Sequence, residues 1–375
     1  MHLVDISLFY APESGGVKTY LTAKARWMKQ NTRIRHSIVA PSCADAYADR
    51  AVVRVPSVPI PFANGYRMPR SVKTGADILR RLKSDCIEVG DPYQFAWAAL
   101  QIKRETQVPV VAFYHSDLMQ VIKRRFGTMS ERAAVKYVRH LYREFDLVLG
   151  PSQCIVQRLQ DIGVERVRHQ PLGVDTRVFT PALRNPVLRR RLALPKETRL
   201  LVYAGRFARE KKLPLLIQAV ERLGPPYHLL MIGSGDKLPS SSQVSTIPFQ
   251  QDAHALASLI ASCDVLVHPG DQETFGLTVL EAMACGIPVV GVAQGGVAEL
   301  VDDDTGILVP DSNVMALMQG ISGIYDCDIA RLGANARRKM EAHYDWNQIV
   351  PQLLSKYASL FSSARQRAEF CLADA

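Results

Sequence analysis

Short apolar runs rich in β-branched residues alternate with longer amphipathic stretches along most of this chain, in two consecutive series. The predicted strands of the first series run from Leu3–Tyr10 to Val167–Leu172, and those of the second from Leu200–Ala204 to Gly306–Val309. Strands separated by helices form parallel sheets, and the helices cover both faces of each sheet. The alternation therefore predicts an α/β protein of two doubly wound, Rossmann-like domains. They are expected to face a central cleft, where the carboxyl ends of the strands bind ligands.

The boundary between the two series is predicted near Val174–Pro195, a stretch that contains three prolines. Proline restricts its own backbone and that of the residue before it, so it interrupts regular structure. We therefore assign residues 1–180 to a first domain and residues 181–345 to a second. Residues 346–375 are predicted to form a C-terminal helix that crosses back to the first domain, followed by a tail.

The composition is that of a globular protein, because hydrophobic residues make up 47% and charged residues 22% of the 375 residues. These values exclude a disordered chain, a collagen and a disulfide-rich miniprotein. No apolar run is long enough to predict a membrane-spanning helix, and no basic segment precedes the first apolar stretch as in a secretory signal. Seven cysteines without a C-x-x-C pair favour reduced thiols over disulfides or a zinc module. The sequence therefore predicts a cytoplasmic protein.

The positive charge of the chain lies in its first half. Residues 1–190 carry a net charge of +14, whereas residues 191–375 carry −4. Such an asymmetry suggests that the first half meets an anionic partner, namely nucleic acid, an acidic membrane surface or a phosphorylated substrate. The alternative, which composition leaves open, is an ordinary basic surface.

The segment His268–Glu281, which reads HPGDQETFGLTVLE, carries the most informative motif. Its glutamates Glu273 and Glu281 flank a predicted strand-to-helix turn. Free backbone amides at the helix N-terminus form a site suited to phosphate; they belong to Phe275, Gly276 and Leu277. The two carboxylates could accept hydrogen bonds from sugar or ribose hydroxyls, or they could be plain helix-start and surface charges. Glu281 lies among apolar residues, where a glutamate needs a partner, and this favours the functional interpretation.

The run ETFGLTVLEAMACGIPVV, followed by Gly295-Gly296-Val297-Ala298-Glu299, resembles the signature of the glycosyltransferase family 4 (group 1) enzymes. Weaker similarities extend the resemblance over residues 5–350. The resemblance implies the GT-B fold, with an acceptor-side first domain and a second domain that binds a nucleotide sugar. It also implies retaining transfer. One departure is Pro269-Gly270, where the family often has Pro-Ser, so that a hydroxyl near the donor is missing.

A second motif, Gly205–Lys211, follows the first predicted strand of the second domain. Arg206 offers a planar fork for phosphate oxygens, and Lys211 offers a mobile point charge. The motif resembles the family's G-R-x-x-x-E-K element, in which the arginine and the lysine hold the donor diphosphate. Without the resemblance, an exposed basic loop is the alternative. Two cations can neutralise a departing diphosphate without a metal ion, so neither a metal nor another cofactor is expected.

Three weaker motifs acquire a role through the resemblance. The Gly15-Gly16-Val17 turn opens a predicted helix, and glycine permits close approach of a ligand to the backbone. His115 ends a predicted strand, although a lone histidine is more often structural. The resemblance implies that the loop of Gly16 approaches the donor phosphate and that His115 contacts the donor sugar. A G-x-G turn, with Gly233 and Gly235, and backbone groups around Ile247 and Phe249 are expected beside the base.

The segment Glu131–Phe145 predicts an amphipathic helix, because its cations recur at helical spacing and apolar residues occupy much of the remaining surface. With a basic cluster just upstream, the cations are Lys123, Arg124, Arg125, Arg132, Lys136, Arg139 and Arg143. We expect reversible contact with an acceptor or with an anionic membrane at its inner face, since each such cation contributes ~1 kcal/mol. The alternative is an ordinary helix packed on the sheet. No nucleic acid is expected, because no binding module is present.

Together these motifs predict a metal-independent, retaining glycosyltransferase of glycan or glycolipid biosynthesis. It would move a hexosyl group from a nucleoside diphosphate sugar to a lipid-linked or saccharide acceptor. The predicted donor is GDP-mannose, and a UDP-sugar is the nearest alternative. His115 and Glu273 are the predicted catalytic residues, and Glu281 the ribose-binding residue. A sugar phosphorylase, a nucleotide-sugar epimerase and a non-catalytic nucleotide-sugar-binding protein on the same fold stay open.

Overall fold

The computed structural model describes residues 1–10, 15–42, 52–60 and 66–361, and the chain divides into two compact units. The first comprises Met1–Pro171 and Ile349–Ala375, and the second comprises Leu172–Gln348. This division falls earlier than the predicted boundary, because the residues after Pro171 are bonded to the second unit. The Val174 amide donates to the Tyr344 carbonyl over 2.8 Å, and the Thr176 hydroxyl donates to the Asp345 carboxylate.

The first unit alternates strands with helices. Its strands are β1 (His2–Ile6), β2 (Arg35–Pro41), β3 (Val52–Val55), β4 (Ser57–Pro59), β5 (Arg67–Pro69), β6 (Cys86–Val89), β7 (Val110–Phe113), β8 (Leu147–Gly150) and β9 (Val167–His169). Its helices are α1 (Gly16–Asn31), α2 (Val72–Leu82), α3 (Gln94–Thr106), α4 (Leu118–Arg143) and α5 (Gln153–Asp161). Within the described ranges, β3-β2-β1-β6-β7-β8-β9 form one parallel sheet, and β4 and β5 form an antiparallel pair.

The first strand is shorter than the predicted Leu3–Tyr10, because the chain leaves the sheet after Ile6. The amide of Leu8 donates to the Asp91 carboxylate over 2.8 Å, and the amide of Phe9 donates to the Ser7 hydroxyl over 3.1 Å. These side-chain bonds replace the ladder bonds that a longer strand would make.

The second unit repeats the alternation. Its elements are α6 (Val187–Arg191), β10 (Arg199–Ala204), α7 (Leu213–Leu223), β11 (Tyr227–Ile232), β12 (Val244–Ile247), α8 (Ala253–Ala261), β13 (Val265–His268), α9 (Leu277–Ala284), β14 (Val289–Val292), α10 (Val297–Leu300), β15 (Gly306–Val309), α11 (Val314–Gly323) and α12 (Ile329–His343). A final helix, α13 (Trp346–Ala358), begins in this unit and continues in the first. The strands form a parallel sheet in the order β12-β11-β10-β13-β14-β15.

Burial and helix capping explain why these segments fold as they do. Every residue of β11 and of β13 is buried, as expected for strands covered by helices on both faces. Helix α8 begins after Asp252, whose carboxylate accepts the amides of His254 and Ala255. Asn313 caps α11 and Asp328 caps α12 in the same way. Each such cap contributes about 1 kcal/mol and fixes where the loop ends.

The strand order reverses direction once in each sheet. In the first, β1 pairs with both β2 and β6, and in the second, β10 pairs with both β11 and β13. At such a point the loops that follow the two central strands run to opposite sides and leave room for a ligand. A ligand site in the second unit is therefore expected at the residues that follow β10 and β13.

Candidate active site

The loops that follow β10 and β13 bring together residues more than sixty positions apart. The ammonium of Lys211 donates to Oε1 of Glu273, and the ring Nε2 of His268 lies 3.1 Å from the same oxygen. Burial alone would raise the pKa of Glu273, but the charge of Lys211 and the hydrogen bond from His268 outweigh it, and the pKa is lowered. Glu273 is therefore an ionised carboxylate, an acceptor for hydroxyl groups.

Arg206 lies in the same loop as Lys211 but contacts a different carboxylate. Its guanidinium forms an ion pair with Glu210 over 3.0 Å, and half of its side chain is exposed. An exposed pair four residues apart contributes under about 1 kcal/mol, so a phosphate can replace Glu210 at little cost. The structure thus places Arg206 and Lys211 on one loop, with only Lys211 directly bonded to Glu273.

The turn before α9 presents backbone donors. The amides of Phe275, Gly276 and Leu277 donate to no acceptor in the described part of the chain. Gly276 precedes the first helical residue with a φ of +105°, a conformation that side chains rarely adopt. The start of this helix therefore offers free N–H donors of the kind that bind an anion, and the phosphate contact stays a prediction.

The Gly295-Gly296 pair holds this turn in place. The amide of Gly296 donates to the Glu273 carbonyl over 2.8 Å. A Cβ at Gly296 would lie 2.4 Å from the Phe275 Cα, and one at Gly295 would lie 2.6 Å from the Glu273 carbonyl oxygen. Any side chain at either position would push the turn away, so the two glycines fix the backbone that carries Glu273.

Glu281 lies in α9, and only 9% of its surface is exposed to solvent. Burial raises the pKa of its carboxyl to about 8, and no charge or hydrogen bond from the described residues opposes that shift. A buried carboxyl without a partner is costly in an unliganded protein, and a ligand with hydroxyl donors would relieve the cost. The structure thus agrees with the sequence argument that this glutamate needs a partner.

The glycines predicted beside the base support the loop of Arg206. A Cβ at Gly233 would lie 1.9 Å from the Gly205 carbonyl oxygen, and one at Gly235 would lie 2.0 Å from the Phe207 carbonyl oxygen. The amide of Gly233 donates to the Ile247 carbonyl over 2.9 Å, so β12 lies beside this turn. Phe249 follows β12 and is 44% exposed, which leaves its ring open to a stacking partner.

In the first unit, His115 follows β7 and is partly buried. Its ring stacks on Phe113 with centroids 4.3 Å apart and lies 5.1 Å from the ring of Tyr20. Burial, assisted by the charge of Lys24, lowers the pKa of His115 to about 3. The ring is therefore neutral at physiological pH and can both donate and accept a hydrogen bond.

Gly16 is the first residue of α1, and it is exposed. Among the described residues, no atom lies within 4 Å of the position that a Cβ on the preceding Gly15 would take. Glu13 and Ser14, which precede this turn, lie outside the described residues. The contact of Gly16 with a phosphate stays a prediction.

A buried ion network under α1 escaped the sequence analysis. Lys24 is fully buried and donates to Asp5 over 2.7 Å, with Glu88 at 3.3 Å. The Tyr20 hydroxyl donates to Glu88 over 2.9 Å, and Tyr357 of α13 contacts both Lys24 and Glu88. Burial raises the pKa of Glu88, while Lys24 and His36 lower the pKa of Asp5 against the effect of burial. No local sequence pattern indicates this network, because its members lie far apart along the chain.

The apolar side of the C-terminal part of α4 packs against the core and does not face outward. Val138, Leu141 and Tyr142 are buried in the core, so the apolar side of Glu131–Phe145 packs inward and the alternative of an ordinary packed helix holds there. The guanidinium of Arg143 donates to the Gly163 carbonyl over 2.8 Å, which ties it to the adjacent turn. The apolar side of Glu131–Phe145 is therefore not available to a membrane, contrary to the expectation of an amphipathic surface helix.

Two highly exposed apolar residues of α4 precede the segment Glu131–Phe145. Phe126 is 59% and Met129 is 83% exposed, on either side of Gly127, where α4 is kinked with a φ of +82°. The predicted cations of α4 are exposed as well; these are Lys123, Arg124, Arg125, Arg132, Lys136 and Arg139. Lys123 pairs with Glu131 over 3.1 Å. The surface defined by Phe126, Met129 and these cations is hereafter called the α4 surface.

The described ranges contain neither a cluster of metal ligands nor a membrane-spanning helix. No group of three or more His, Cys, Asp or Glu side chains there could hold a metal ion, and the tract Asp302-Asp303-Asp304 forms a turn closed by Thr305. No helix in those ranges is long and apolar enough to cross a bilayer. The expectation of metal-independent chemistry stays a prediction.

Comparison with solved structures establishes the fold. A sucrose-phosphate synthase from Thermosynechococcus elongatus superposes with a TM-score of 0.79 at 22% identity, over 96% of this chain and all of that one. The predicted class is thereby confirmed: the protein has the GT-B fold, an α/β architecture of two Rossmann-like domains.

Comparison with sequences establishes the family. The model of Glycosyltransferase Family 4 matches residues 14–178, and that of Glycosyl transferases group 1 matches residues 185–341. A GDP-mannose-dependent alpha-mannosyltransferase from Mycolicibacterium smegmatis is 31% identical over 324 residues, 84% of each chain. A GDP-mannose-dependent alpha-(1-6)-phosphatidylinositol dimannoside mannosyltransferase from Mycobacterium tuberculosis is 28% identical, over 97% of this chain and 98% of its own. The chain belongs to the group 1 glycosyltransferases, and it is therefore a glycosyltransferase.

Proposed function

We propose that this glycosyltransferase moves a mannosyl group from GDP-mannose to a lipid-linked or saccharide acceptor, with retention of the anomeric configuration. The proposed donor is that of the GDP-mannose-dependent mannosyltransferases that resemble the chain over most of its length. The observation that carries the proposal is the ionised Glu273, bonded to Lys211 and placed next to the free amides that open α9. That arrangement offers a carboxylate for sugar hydroxyls beside positive charge for a diphosphate.

The leaving diphosphate is stabilised by several donors. Arg206 exchanges its exposed pairing with Glu210 for phosphate oxygens, and Lys211 supplies a second cation. The amides at the start of α9 add the positive end of a helix dipole. Glu281 accepts the ribose hydroxyls and so gains the partners that the unliganded protein does not give it. The role of His115 towards the sugar and that of Gly16 towards the phosphate rest on the family resemblance.

The reaction breaks the bond between the sugar C1 and the diphosphate oxygen, and forms a bond between C1 and the acceptor oxygen on the same face. The acceptor proton passes to the departing diphosphate, which is the base nearest to the reacting atoms. Arg206, Lys211 and the amides stabilise the charge that develops on the diphosphate, which is the main protein contribution to the rate. No metal is required for this charge balance, and full activity in the presence of a chelator is expected.

The donor is tested first by a thermal-shift panel of GDP, UDP, ADP and dTDP without added metal. A ligand at a hundredfold excess over its dissociation constant stabilises the protein by about 2.7 kcal/mol, which is readily visible. A shift with GDP alone supports the proposed donor, and a shift with UDP alone replaces it. Product analysis without an acceptor then detects an epimerase, and incubation of a saccharide with inorganic phosphate, which would yield a sugar 1-phosphate, detects a phosphorylase.

The site is tested by Lys211→Ala and Glu273→Ala, both of which should lower mannosyl transfer by about a hundredfold or more, as expected for groups that stabilise transition-state charge. The matched control is Lys212→Asn, because Lys212 is the next residue, is paired with Asp271, and has a left-handed φ of +51° that asparagine tolerates. We expect the control to retain most of the activity. Unchanged transfer in both site variants would contradict the assignments.

We further propose that the enzyme works at the inner face of a cytoplasmic membrane, in peripheral contact with anionic lipid through the α4 surface. The support is the presence of two highly exposed apolar side chains, Phe126 and Met129, on the same helix as several exposed cations. Apolar side chains that enter the headgroup region and cations that meet anionic headgroups act together in peripheral proteins. A lipid-linked acceptor would be reached from this position.

A further inference from the structure

A buried histidine occupies the last position of β13, directly before the loop that carries Glu273. His268 is 2% exposed, and its ring Nε2 lies 3.1 Å from Oε1 of Glu273. Because the ionised carboxylate only accepts, Nε2 must carry the proton of this hydrogen bond. The other ring nitrogen, Nδ1, is buried and has no partner among the described residues. Within the described part of the chain, the imidazole therefore makes one hydrogen bond, to Glu273.

The two donors to Glu273 converge on one of its oxygens. Lys211 and His268 both bond to Oε1, whereas Oε2 accepts no hydrogen bond from the described residues. A carboxylate held by one oxygen from two directions has a fixed plane, and its second oxygen is left to accept from a substrate. Lys211 ends a flexible four-carbon side chain and is itself proposed to bind phosphate, so the buried imidazole is the partner that can hold the carboxylate throughout a reaction.

The glycine two residues after His268 gives the ring its space. A Cβ at Gly270 would lie 3.1 Å from the imidazole Cε1, and 3.6 Å from the Lys211 Cα. A contact of 3.1 Å is tighter than carbon atoms normally allow, so the ring would have to move by a few tenths of an ångström. The φ angle of Gly270 is not in the left-handed region, so its own backbone conformation does not require glycine. The reason for glycine here is the neighbouring imidazole.

We propose that His268 is a positioning residue that holds Glu273 in the orientation required to bind the donor sugar, and that Gly270 is the complementary residue that makes room for it. The proposal rests on the proposed role of Glu273. It also explains why this chain has Pro-Gly where its family often has Pro-Ser: a serine Cβ would press on the histidine ring.

The first test compares His268→Ala with the conservative His268→Gln, whose amide can donate from a similar place. We expect His268→Ala to lower kcat for mannosyl transfer by about tenfold to a hundredfold, because a displaced reactive group costs that much. The Kd for GDP should change less than threefold, since the diphosphate ligands are untouched. His268→Gln should recover a large part of kcat. A role in folding alone would lower the melting temperature and leave kcat of the folded fraction unchanged, and that result would overturn the proposal.

The second test is a double-mutant cycle with Gly270→Ser. This substitution should lower kcat in the wild-type background by displacing the ring, but should have little effect when His268 is already alanine. Gly323→Ser is the matched control, since a Cβ there meets only Ile307 at an ordinary 3.7 Å. Independent, multiplicative effects of the two substitutions would overturn the coupling.

Glu273→Gln, measured in parallel, separates the two levels of the argument. If Glu273→Gln is as active as the wild type, the proposed role of Glu273 fails and the His268 proposal fails with it. If Glu273→Gln is impaired while His268→Ala retains wild-type kcat, only the positioning role of His268 is overturned.

Discussion

At the scale of single residues, Glu281 makes the unliganded protein sensitive to pH. Burial raises the pKa of its carboxyl from 4.5 to about 8. Between those values the folded protein holds a proton that the unfolded chain has released. The free energy of unfolding contributed by this group is therefore full below pH 4.5 and is lost as the pH rises towards and through 8.

We predict that Glu281→Gln removes this decrease, because a neutral amide cannot ionise. In urea titrations between pH 5.5 and 8.5, the unfolding free energy of the wild type should fall more steeply with pH than that of the variant, by at most about 1.4 kcal/mol per unit. Glu221→Gln, at an exposed position of α7, is the control and should keep the wild-type slope. Equal slopes for wild type and Glu281→Gln would contradict the raised pKa.

The same pair of proteins tests the proposed ribose contact. If the ionised carboxylate accepts the ribose hydroxyls, GDP affinity should rise with pH up to about 8, by up to tenfold per unit, and the rise should be absent in Glu281→Gln. Isothermal titration at several pH values measures this, and the difference between the two proteins cancels the titration of GDP itself. A pH dependence that is the same in both would exclude the contact.

The residues of the site divide into those that the sequence could predict and those that it could not. Glu273, Glu281, Arg206 and Lys211 stand in motifs whose charges and spacing suggest a diphosphate and a sugar. His268 could not be assigned, because its partner Glu273 is reached across a loop whose course only the folded backbone defines. The sequence does contain one indication, namely a histidine that ends an apolar strand two residues before a glycine.

At the scale of elements, strands were easier to predict than their ends and edges. The central strands β10, β11 and β13 read as apolar runs because they are buried on both faces. The edge strand β12 was not predicted, because its residues are mostly half-exposed and its sequence, VSTI, is short and polar. The return of the C-terminal helix to the first unit was predicted, but its contact through Tyr357 was not, because that contact joins an ion network assembled from distant positions.

We predict that Tyr357→Phe destabilises the first unit, because the hydroxyl is shared between the buried Lys24 and Glu88. Loss of one partner from such a network leaves two buried charged groups less well bonded, at a cost of about 1–3 kcal/mol. At roughly 2–4 °C per kcal/mol, differential scanning calorimetry should detect the shift in the melting temperature.

The matched control is Tyr325→Phe in the second unit. The Tyr325 hydroxyl is buried and has no hydrogen-bond partner among the described residues, so its removal should be neutral or stabilising. The cation–π contact of its ring with Arg199, at 4.5 Å, is kept by phenylalanine. A drop of equal size in both variants would mean that the network around Lys24 contributes nothing specific.

At the scale of the whole molecule, part of the excess positive charge of the first half of the sequence lies on the exposed side of α4. The net charge of +14 over residues 1–190 includes the cations of α4, whereas residues 191–375 are weakly acidic. The structure corrects the earlier expectation in one respect, because the apolar side of Glu131–Phe145 is buried and Phe126 and Met129 are exposed instead. Sequence periodicity could not distinguish these cases, since a side that packs on a sheet and a side that meets lipid have the same pattern.

We therefore predict that the protein co-sediments with vesicles that contain phosphatidylglycerol but not with vesicles of phosphatidylcholine alone. Binding should weaken when salt rises from about 0.1 M to about 1 M, because the screening length falls from ~10 Å to ~3 Å. Arg124→Gln combined with Arg125→Gln should lower binding by at most about thirtyfold, at ~1 kcal/mol per cation.

The apolar contribution is tested separately by Phe126→Ser combined with Met129→Ser, which should weaken vesicle binding at every salt concentration. Met315→Ser is the matched control, since Met315 is 56% exposed but lies in the acidic half of the chain on α11. Transfer to a water-soluble saccharide acceptor should be unchanged in all of these variants, because none of them alters the donor site. Wild-type vesicle binding by the Phe126/Met129 variant would show that the contact is purely electrostatic, and equal binding to both kinds of vesicle would remove the α4 surface as an anionic-lipid site.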